Sequence, residues 1–219
     1  AQFAAAAMAF YQLGIMHWEM WWIVLVALVV YVGATNVINF MDGINGITAG
    51  YALAVLMPLG IVNTNGHELT VNYQKLTPNI MEFTTNSSLI PSNNDGMFVE
   101  QSLIIATIIA AVVFCIFNFR PKGKAKCFAG DVGAIGIAFI MLFLLGNVIL
   151  KTGDITWLIF LLVYGVDGCL TIVHRIMLHE NLGEAHRKHA YQIMANELKI
   201  GHVKVTFLYM TMQLVVSLG

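Results

Sequence analysis

The stretch that decides the fold is residues 20–38, Met20-Trp-Trp-Ile-Val-Leu-Val-Ala-Leu-Val-Val-Tyr-Val-Gly-Ala-Thr-Asn-Val-Ile38. It contains no charged residue and nearly reaches the roughly 20 apolar residues that a helix needs to cross a bilayer. In lipid the backbone must satisfy its own hydrogen bonds, so such stretches predict helices. The chain is therefore predicted to be an all-α, polytopic transmembrane helix bundle of about seven spans. The other six are 3–15, 44–62, 102–119, 134–150, 155–173 and 203–218.

The composition agrees with a membrane protein. Of the 219 residues, 58% are hydrophobic and 11% are charged, and the formal net charge is −1. Soluble domains carry about 25% charged residues, so this excludes a soluble globular domain, a disordered chain and a basic nucleic-acid-binding protein. Ala1 and Gly219 both lie within apolar runs. We therefore expect one integral-membrane domain over 1–219, from a longer protein that has lost its N-terminal part.

The basic residues predict how the chain is oriented. If 39–46, 120–133 and 174–202 face the cytoplasm, nine lysines and arginines lie on that side or at its border, and two lie on the other side. Such a bias sets the orientation of multi-span proteins. The nine are Arg120, Lys122, Lys124, Lys126, Arg175, Arg187, Lys188, Lys199 and Lys204, and the two are Lys75 and Lys151.

Three polar segments then share one membrane face. In the first, Asn36, Asn39 and Asp42 recur every third residue at the end of a predicted helix, so their side chains lie on one side of it. Amide and carboxylate oxygens with open coordination positions suit Mg2+. The alternative is a helix C-cap followed by turn residues.

The second segment, Gly130-Asp131-Val-Gly133, begins the 134–150 span. An acidic residue there, beside free backbone N–H groups, is typical of a phosphate or metal site, although Asp131 is equally suited to N-capping. Phe128 is suited either to stacking on a base or to anchoring the chain at the interface.

The third segment contains His186, Arg187 and His189. Arg and His donors fit phosphate binding better than a zinc site, and a solvated loop is the alternative. Asp167 lies within the 155–173 span, where a carboxylate is costly and marks a functional or paired site. We expect it to have a structural or gating role, with Arg175 about two turns further on.

Together these segments resemble the polyprenyl-phosphate N-acetylhexosamine-1-phosphate transferases, or glycosyltransferase family 4. Asn36-Val-Ile-Asn39-Phe-Met-Asp42-Gly43-Ile-Asn45-Gly46 is similar to the family's Asn-x-x-Asn-x-x-Asp-Gly-x-Asp/Asn-Gly signature. Ala125-Lys126-Cys-Phe128-Ala-Gly130-Asp131-Val-Gly133 resembles its Ala-Lys-x-Phe-x-Gly-Asp-x-Gly-Ser motif. Asp167, Arg175 and 186–192 resemble its last two cytoplasmic elements.

The resemblance implies a multi-pass enzyme of the bacterial inner membrane whose active site faces the cytoplasm. Such enzymes use Mg2+ to transfer a sugar 1-phosphate from a UDP-N-acetyl amino sugar to undecaprenyl phosphate, with release of UMP. Asp42 and Asp131 are the implied catalytic residues, and Asn39 and Asp131 the implied metal ligands. The implied substrate-binding residues are Asn36, Asn118, Lys126, Phe128, Arg187 and His189, with Asn118 and Phe128 at the uridine and Arg187 and His189 at phosphate.

Some positions depart from the family pattern. Asn45 replaces a frequent Asp, and Ala134 replaces Ser. Tyr191 and Gln192 replace paired histidines of the peptidoglycan and common-antigen branches, which favours an O-antigen, lipopolysaccharide or capsule pathway. The family's earlier Asp-Asp pair has no counterpart, so the sequence leaves open whether this chain alone is active.

Two other functions fit part of the pattern. A transporter or channel would use Asp167 as an ion site, but polar residues would then be distributed through the spans. A non-catalytic assembly partner remains consistent with the missing Asp-Asp pair. The sequence does not identify the sugar, and it is compatible with a homodimer.

Overall fold

The computed structural model of the chain describes residues 2–15, 21–66, 69, 97–181, 184 and 187–219. Most of the predicted loop 63–101, Lys75 and His186 lie outside these ranges. The described part contains helices and no strand. The helices are α1 (Gln2–Gln12), α2 (Trp21–Phe40), α3 (Ile47–Thr64), α4 (Gln101–Asn118), α5 (Gly130–Thr152), α6 (Leu162–Met177) and α7 (His202–Leu218). A 3-10 helix, Ile155–Leu161, leads into α6, and a helical turn, Ala190–Gln192, runs into a π-helical turn, Ile193–Glu197, before α7.

Five helices are long and apolar enough to cross a membrane: α2, α3, α4, α5 and the continuous segment Ile155–Met177. The predicted spans 3–15 and 203–218 form the shorter helices α1 and α7, of 11 and 17 residues. Most of the apolar surface of α2 and α4 faces outward, since 17% and 22% of their apolar windows are buried. Such exposure of long apolar helices suits lipid and not water, so the prediction of an all-α, polytopic membrane bundle is confirmed.

Helix α3 forms the centre of the bundle, with 72% of its apolar window buried. It packs tightly on α7 at Gly50, where a Cβ atom would lie 2.5 Å from the sulfur of Met210. On its other side the ring of Tyr51 stacks on Tyr164 of α6, with centroids 3.5 Å apart. The absence of a side chain at Gly50 thus lets two helices approach closely, as small residues commonly do in membranes.

The junction between the 3-10 helix and α6 breaks the regular backbone hydrogen bonding inside the bundle. Gln213 of α7 compensates, because its Oε1 accepts from the backbone N–H of Val163 at 3.2 Å and its Nε2 donates to the carbonyl of Ile159 at 3.2 Å. The hydroxyl of Tyr51 donates to the same Oε1 at 2.8 Å. The buried side chain of Gln213 therefore forms hydrogen bonds with backbone groups that lipid could not bond.

Candidate functional site

The three polar segments meet at one end of the bundle, where α2 and α4 end and α3 and α5 begin. We call this the motif end. The turn between α2 and α3 is fixed there by Asn118, the last residue of α4, which is 5% exposed. Its Oδ1 accepts from the backbone N–H of Gly46 at 2.5 Å, and its Nδ2 donates to the carbonyl of Cys127 at 2.6 Å. Both polar groups of Asn118 therefore join the first motif to the second, and its predicted contact with uridine stays a prediction.

Asn45 extends this framework to α7. Its side-chain amide donates to the carbonyls of Arg120 and Pro121, at 2.9 and 3.0 Å. Its backbone N–H donates to Nδ1 of His202, and its carbonyl accepts from the hydroxyl of Thr206. An amide both donates and accepts, so asparagine suits this position, where the family often has Asp.

Asp42 lies in this turn and is partly buried. Its carboxylate accepts a hydrogen bond from the hydroxyl of Thr48, and the backbone N–H of Gly130 also contacts it. Burial raises the pKa of Asp42 above its ordinary value, and the negative charge of Asp131 adds to that effect, while the two hydrogen bonds oppose it. The turn thus holds a carboxylate whose charge is not fully compensated by the protein, as at sites that bind cations.

Asn39 and Asp131 complete the cluster. The Nδ2 of Asn39 donates to Oδ1 of Asp131 at 3.4 Å, across 92 residues of sequence. The Oδ1 of Asn39 is buried and has no hydrogen-bond partner among the described residues. Asp131 is exposed in the first turn of α5, and it does not cap the helix, because the cap position is Ala129 and no side chain caps it. The N-capping alternative for Asp131 is therefore wrong.

These oxygens fit a magnesium ion better than a transition metal. The described residues contain no group of three or more His, Cys, Asp or Glu side chains that would hold a metal unaided. Mg2+ does not require one, since it keeps several waters and takes one or two carboxylates together with substrate phosphates. The amide oxygen of Asn39, which no described residue bonds, and the carboxylates of Asp42 and Asp131 are the kind of oxygen donors that such an ion prefers.

The third segment is anchored by Asp167. The Oδ1 of Asp167 accepts from the backbone N–H of Ala190 at 2.9 Å, and its Oδ2 accepts from the hydroxyl of Tyr209 at 2.6 Å. His189 is 4% exposed, with its Nδ1 3.5 Å from Oδ1 of Asp167 and 3.2 Å from the hydroxyl of Thr171. A solvated loop is therefore wrong for His189, whereas the expected structural role of Asp167 agrees with these bonds.

Tyr191 connects the third segment to the first. It is fully buried, and its hydroxyl donates to the carbonyl of Phe40 at 2.9 Å. The turn at Gly43 lies directly against it, because a Cβ atom at Gly43 would be 2.2 Å from the Tyr191 hydroxyl and 2.8 Å from Nε2 of Gln192. Only glycine fits there without movement of its neighbours. Tyr191 and Gln192 thus pack directly against the turn that contains Asp42.

Arg175 stabilises the connection after α6 and is almost fully buried. Its guanidinium donates to Oε2 of Glu180 at 3.3 Å and to the carbonyls of Asn181 and Glu184. Glu180 also forms an ion pair with Lys188. This arrangement holds the segment that leads to His189.

The remaining predicted substrate-binding residues form no described hydrogen bond with Asn39, Asp42 or Asp131. Asn36 is bonded within α2 to the carbonyl of Val32 and accepts from Gln2 of α1. Lys126 and Arg187 are exposed, and Phe128 is 75% exposed just before α5. Their positions leave the proposed contacts with substrate untested.

The sequence interpretation missed the polar residues of α7. His202, Thr206, Tyr209 and Gln213 are all buried and bind the other elements. Their spacing of four, three and four residues puts them on one helical face. That periodicity could have predicted a polar face on α7. The overall composition of the segment is apolar, and it therefore predicts an ordinary membrane span.

Comparison with known proteins gives a consistent result. Residues 2–150 match glycosyl transferase family 4. Over 118 residues, 53% of this chain, it is 29% identical to a phospho-N-acetylmuramoyl-pentapeptide-transferase of Chlorobium phaeobacteroides, covering 27% of that protein. A transferase with the same name from Moorella thermoacetica is 26% identical over 58% of this chain and 30% of its own length.

A third relative is named probable undecaprenyl-phosphate N-acetylglucosaminyl 1-phosphate transferase, from Bacillus subtilis. It is 24% identical over 166 residues, which are 73% of this chain and 37% of that protein. The chain thus spans about a third of the length of the curated relatives it matches.

Proposed function

Because this chain belongs to glycosyl transferase family 4, a family of membrane-bound transferases, we propose that it forms the catalytic end of a sugar-1-phosphate transferase. The proposed reaction moves an N-acetylhexosamine 1-phosphate from a UDP-sugar to undecaprenyl phosphate and releases UMP. The motif end would face the cytoplasm of a bacterial inner membrane, where UDP-sugars are available. The relatives' names support the class of lipid-phosphate acceptor and sugar-phosphate donor.

One observation supports the proposal above all others. Asn39 and Asp131 come from two motifs that are far apart in sequence, and they meet beside Asp42. The buried amide oxygen of Asn39 has no hydrogen-bond partner within the part of the chain that the structure describes. A purely structural cluster would satisfy that oxygen, because a buried polar atom without a hydrogen bond is destabilising. A site that binds a cation and phosphates explains why it is left open.

The proposed ligands of Mg2+ are Asn39 and Asp131, with Asp42 beside them. When bound, Mg2+ supplies positive charge that neutralises the donor diphosphate. Arg187 and Lys126, both exposed near the motif end, are proposed to attract the substrates' phosphates. Phe128 is exposed enough to stack on the uracil ring.

The acceptor needs little activation. A phosphate monoester has a second pKa near 6, so the lipid phosphate is already largely a dianion at neutral pH. In the proposed step, one of its oxygens bonds to the β-phosphorus of the donor, the bond from that phosphorus to the bridging oxygen breaks, and the electron pair leaves with UMP. Asp42, held by Thr48 and Gly130, positions the reacting phosphates. The alternative is that Asp42 itself attacks and forms a covalent intermediate.

Two features bear on the choice between rival functions. The carboxylate of Asp167 accepts bonds from Ala190 and Tyr209, which argues for an anchor and against a transported-ion site. Tyr191 is buried where related branches have histidine, which supports a sugar and pathway other than peptidoglycan, such as O-antigen or capsule. The choice of sugar is left to the assay.

The test uses the full-length product of the gene in membranes, with undecaprenyl phosphate and Mg2+. UMP release and labelled lipid are measured with UDP-N-acetylglucosamine, UDP-N-acetylgalactosamine, UDP-N-acetylfucosamine and UDP-N-acetylmuramoyl-pentapeptide in turn. We expect UMP release with at least one donor and a loss of about a hundredfold or more in Asp42→Asn. Near-normal turnover of Asp42→Asn would exclude both roles of that residue, and no product with any donor would overturn the proposal.

A matched control is Asn147→Ala. Asn147 lies on the same helix as Asp131, sixteen residues further on, which is about 24 Å along the axis. Its side chain bonds within α5 to the carbonyl of Phe143. Asn147→Ala should keep most of the transferase activity. If Asp131→Asn loses activity and Asn147→Ala does not, the loss is specific to the motif end.

A further inference from the structure

A cavity lies at the motif end, beside the first turn of α7, and has no part in the proposed transfer. Its volume is about 480 Å3, and its lining includes Lys122, Asn196, Lys199, His202 and Lys204. The cavity is formed by the loop after α4, the π-helical turn and the first turn of α7. The cavity therefore brings together residues that are more than eighty positions apart in the sequence.

The positive charge of this cavity has no carboxylate partner among the described residues that line it. None of its three lysines forms an ion pair with a carboxylate within the described ranges, and no Asp or Glu is among the lining residues. The Nζ of Lys122 donates to Oδ1 of Asn196 at 3.0 Å, which orders one of the three cations. Like charges held around one concave surface repel each other and attract an anion.

His202 provides an independent indication of a ligand. It is 8% exposed and lines the cavity. Its Nδ1 accepts a hydrogen bond from the backbone N–H of Asn45 at 3.2 Å, so in the neutral ring the proton is on Nε2. That Nε2 has no hydrogen-bond partner in the described part of the chain. A buried N–H without an acceptor is destabilising, so a ligand that accepts its hydrogen bond would stabilise the site. Because three lysines line the same cavity, a negatively charged acceptor would be favoured.

The backbone adds to the same field. His202 is the first residue of α7, a helix of 17 residues, and its side chain caps nothing in its own helix. Free backbone N–H groups in the first turn and the helix dipole favour an anion at that position. His202, the three lysines and the start of α7 all line one cavity.

From these observations we propose that the cavity binds a phosphate group. An anionic phospholipid headgroup and a soluble phosphate share that chemistry. The exposed apolar side chains of Leu198 and Ile200, 64% and 42% exposed, lie next to the lysines along the chain. They suit the acyl region of a lipid at the membrane surface, where basic residues attract anionic headgroups.

The cavity is connected to the catalytic turn. Asn45, whose N–H bonds to His202, lies three residues after Asp42, and its carbonyl accepts from Thr206 of α7. A phosphate bound to His202 would hold the imidazole in the tautomer that accepts from Asn45. Occupancy of the cavity therefore stabilises the turn that positions Asp42.

The test measures binding and does not depend on transferase activity. Purified full-length protein in nanodiscs of phosphatidylcholine is titrated with phosphatidylglycerol, and retained lipid is counted by native mass spectrometry. We expect the apparent Kd for phosphatidylglycerol to rise about fivefold in each of Lys199→Gln and Lys204→Gln. His202→Asn should raise it about tenfold, because Asn keeps an acceptor towards Asn45 but removes the Nε2 donor.

Lys124→Gln is the matched control, since Lys124 is an exposed lysine of the same face that does not line the cavity. An equal loss in that control, or no change in His202→Asn, would overturn the proposal. In a second arm inorganic phosphate is titrated in pure phosphatidylcholine, and hydrogen exchange at the Asn45 amide is followed. Slower exchange with phosphatidylglycerol alone assigns the site to lipid, slower exchange with phosphate assigns it to a soluble anion, and no change with either contradicts the coupling.

Discussion

The side-chain amide of Asn39 and the carboxylate of Asp131 lie within 3.4 Å of each other, although 92 residues separate them in sequence. Asn39 is in the last turn of α2, and Asp131 is in the first turn of α5. The C-terminal end of one membrane helix thus meets the N-terminal end of another. Their contact brings two motifs into one site and requires both helices to present these ends to the same side of the membrane.

The first prediction concerns that sidedness. In a protein whose Cys115, Cys127 and Cys169 are replaced by alanine, Asp42→Cys and Asp131→Cys should react with a membrane-impermeant maleimide from the same side. Asp154→Cys, beyond the far end of α5, should react from the other side, because 22 residues of helix span roughly 33 Å. Labelling of Asp42→Cys and Asp131→Cys from opposite sides of sealed vesicles would contradict the shared site.

The second prediction concerns the close contact at Gly43. Gly43→Ala should reduce activity at least about tenfold, since its Cβ would lie 2.2 Å from the Tyr191 hydroxyl and must displace the turn. Tyr191→Phe removes that hydroxyl, so the double variant should recover part of the loss. Gly33→Ala is the control, because a Cβ there meets nothing within 4 Å. Equal losses in Gly43→Ala and Gly33→Ala would show that the contact has no role.

The third prediction concerns the protonation of Asp42. The hydrogen bond from Thr48 stabilises the charged carboxylate and lowers its pKa, while burial raises it. Thr48→Val should therefore move the pKa of Asp42 further upward. Infrared titration of the carboxyl band that disappears in Asp42→Asn measures this midpoint. Thr48→Ser, which keeps the hydroxyl, should leave it in place, and a midpoint that falls in Thr48→Val would contradict the assignment.

The fourth prediction concerns the anchor of the third segment. Asp167→Ala removes both acceptor oxygens, so the bonds from Ala190 and Tyr209 are both lost. Hydrogen exchange at the Ala190 amide should accelerate about tenfold, since a bond to a charged group is worth about 1.5–3 kcal/mol. Asp154→Ala, which removes a carboxylate at the far end of α5, should leave that exchange rate unchanged. Unchanged exchange in Asp167→Ala would refute the anchoring role.

The parts of the fold and of the candidate site that depend on residues close together in the sequence could largely be predicted. The apolar stretches predicted a bundle of membrane helices, and the three-residue spacing of Asn36, Asn39 and Asp42 indicated a shared helical face. The structure divides that triad, since Asn36 bonds to Gln2 while Asn39 and Asp42 join the second motif. The direction of a side chain depends on which neighbouring helix offers a partner, and the spacing alone does not contain that information.

Long-range partners could not be predicted in the same way. Tyr209 lies 42 residues from Asp167, and His202 lies 157 residues from Asn45. Both partners are in α7, whose polar residues are too few to lower its apolar average. The pair of Tyr209 and Asp167 depends on the packing of α7 against α6. The pair of His202 and Asn45 depends on the packing of α7 against α3, where Gly50 permits a close approach. No motif indicates either packing.

The central claim is that Asn39 and Asp131 bind the same divalent ion together with a nucleotide diphosphate. The most direct test is a double-mutant cycle on Mn2+ binding in the presence of UDP, followed by electron paramagnetic resonance of the free ion. We expect Asn39→Leu and Asp131→Asn each to weaken Mn2+ binding about tenfold or more. The double variant should bind only slightly more weakly than the single variant with the lower affinity, because either substitution alone already disrupts the shared site. Independent, fully additive losses, or Mn2+ affinity that neither substitution changes, would contradict the claim.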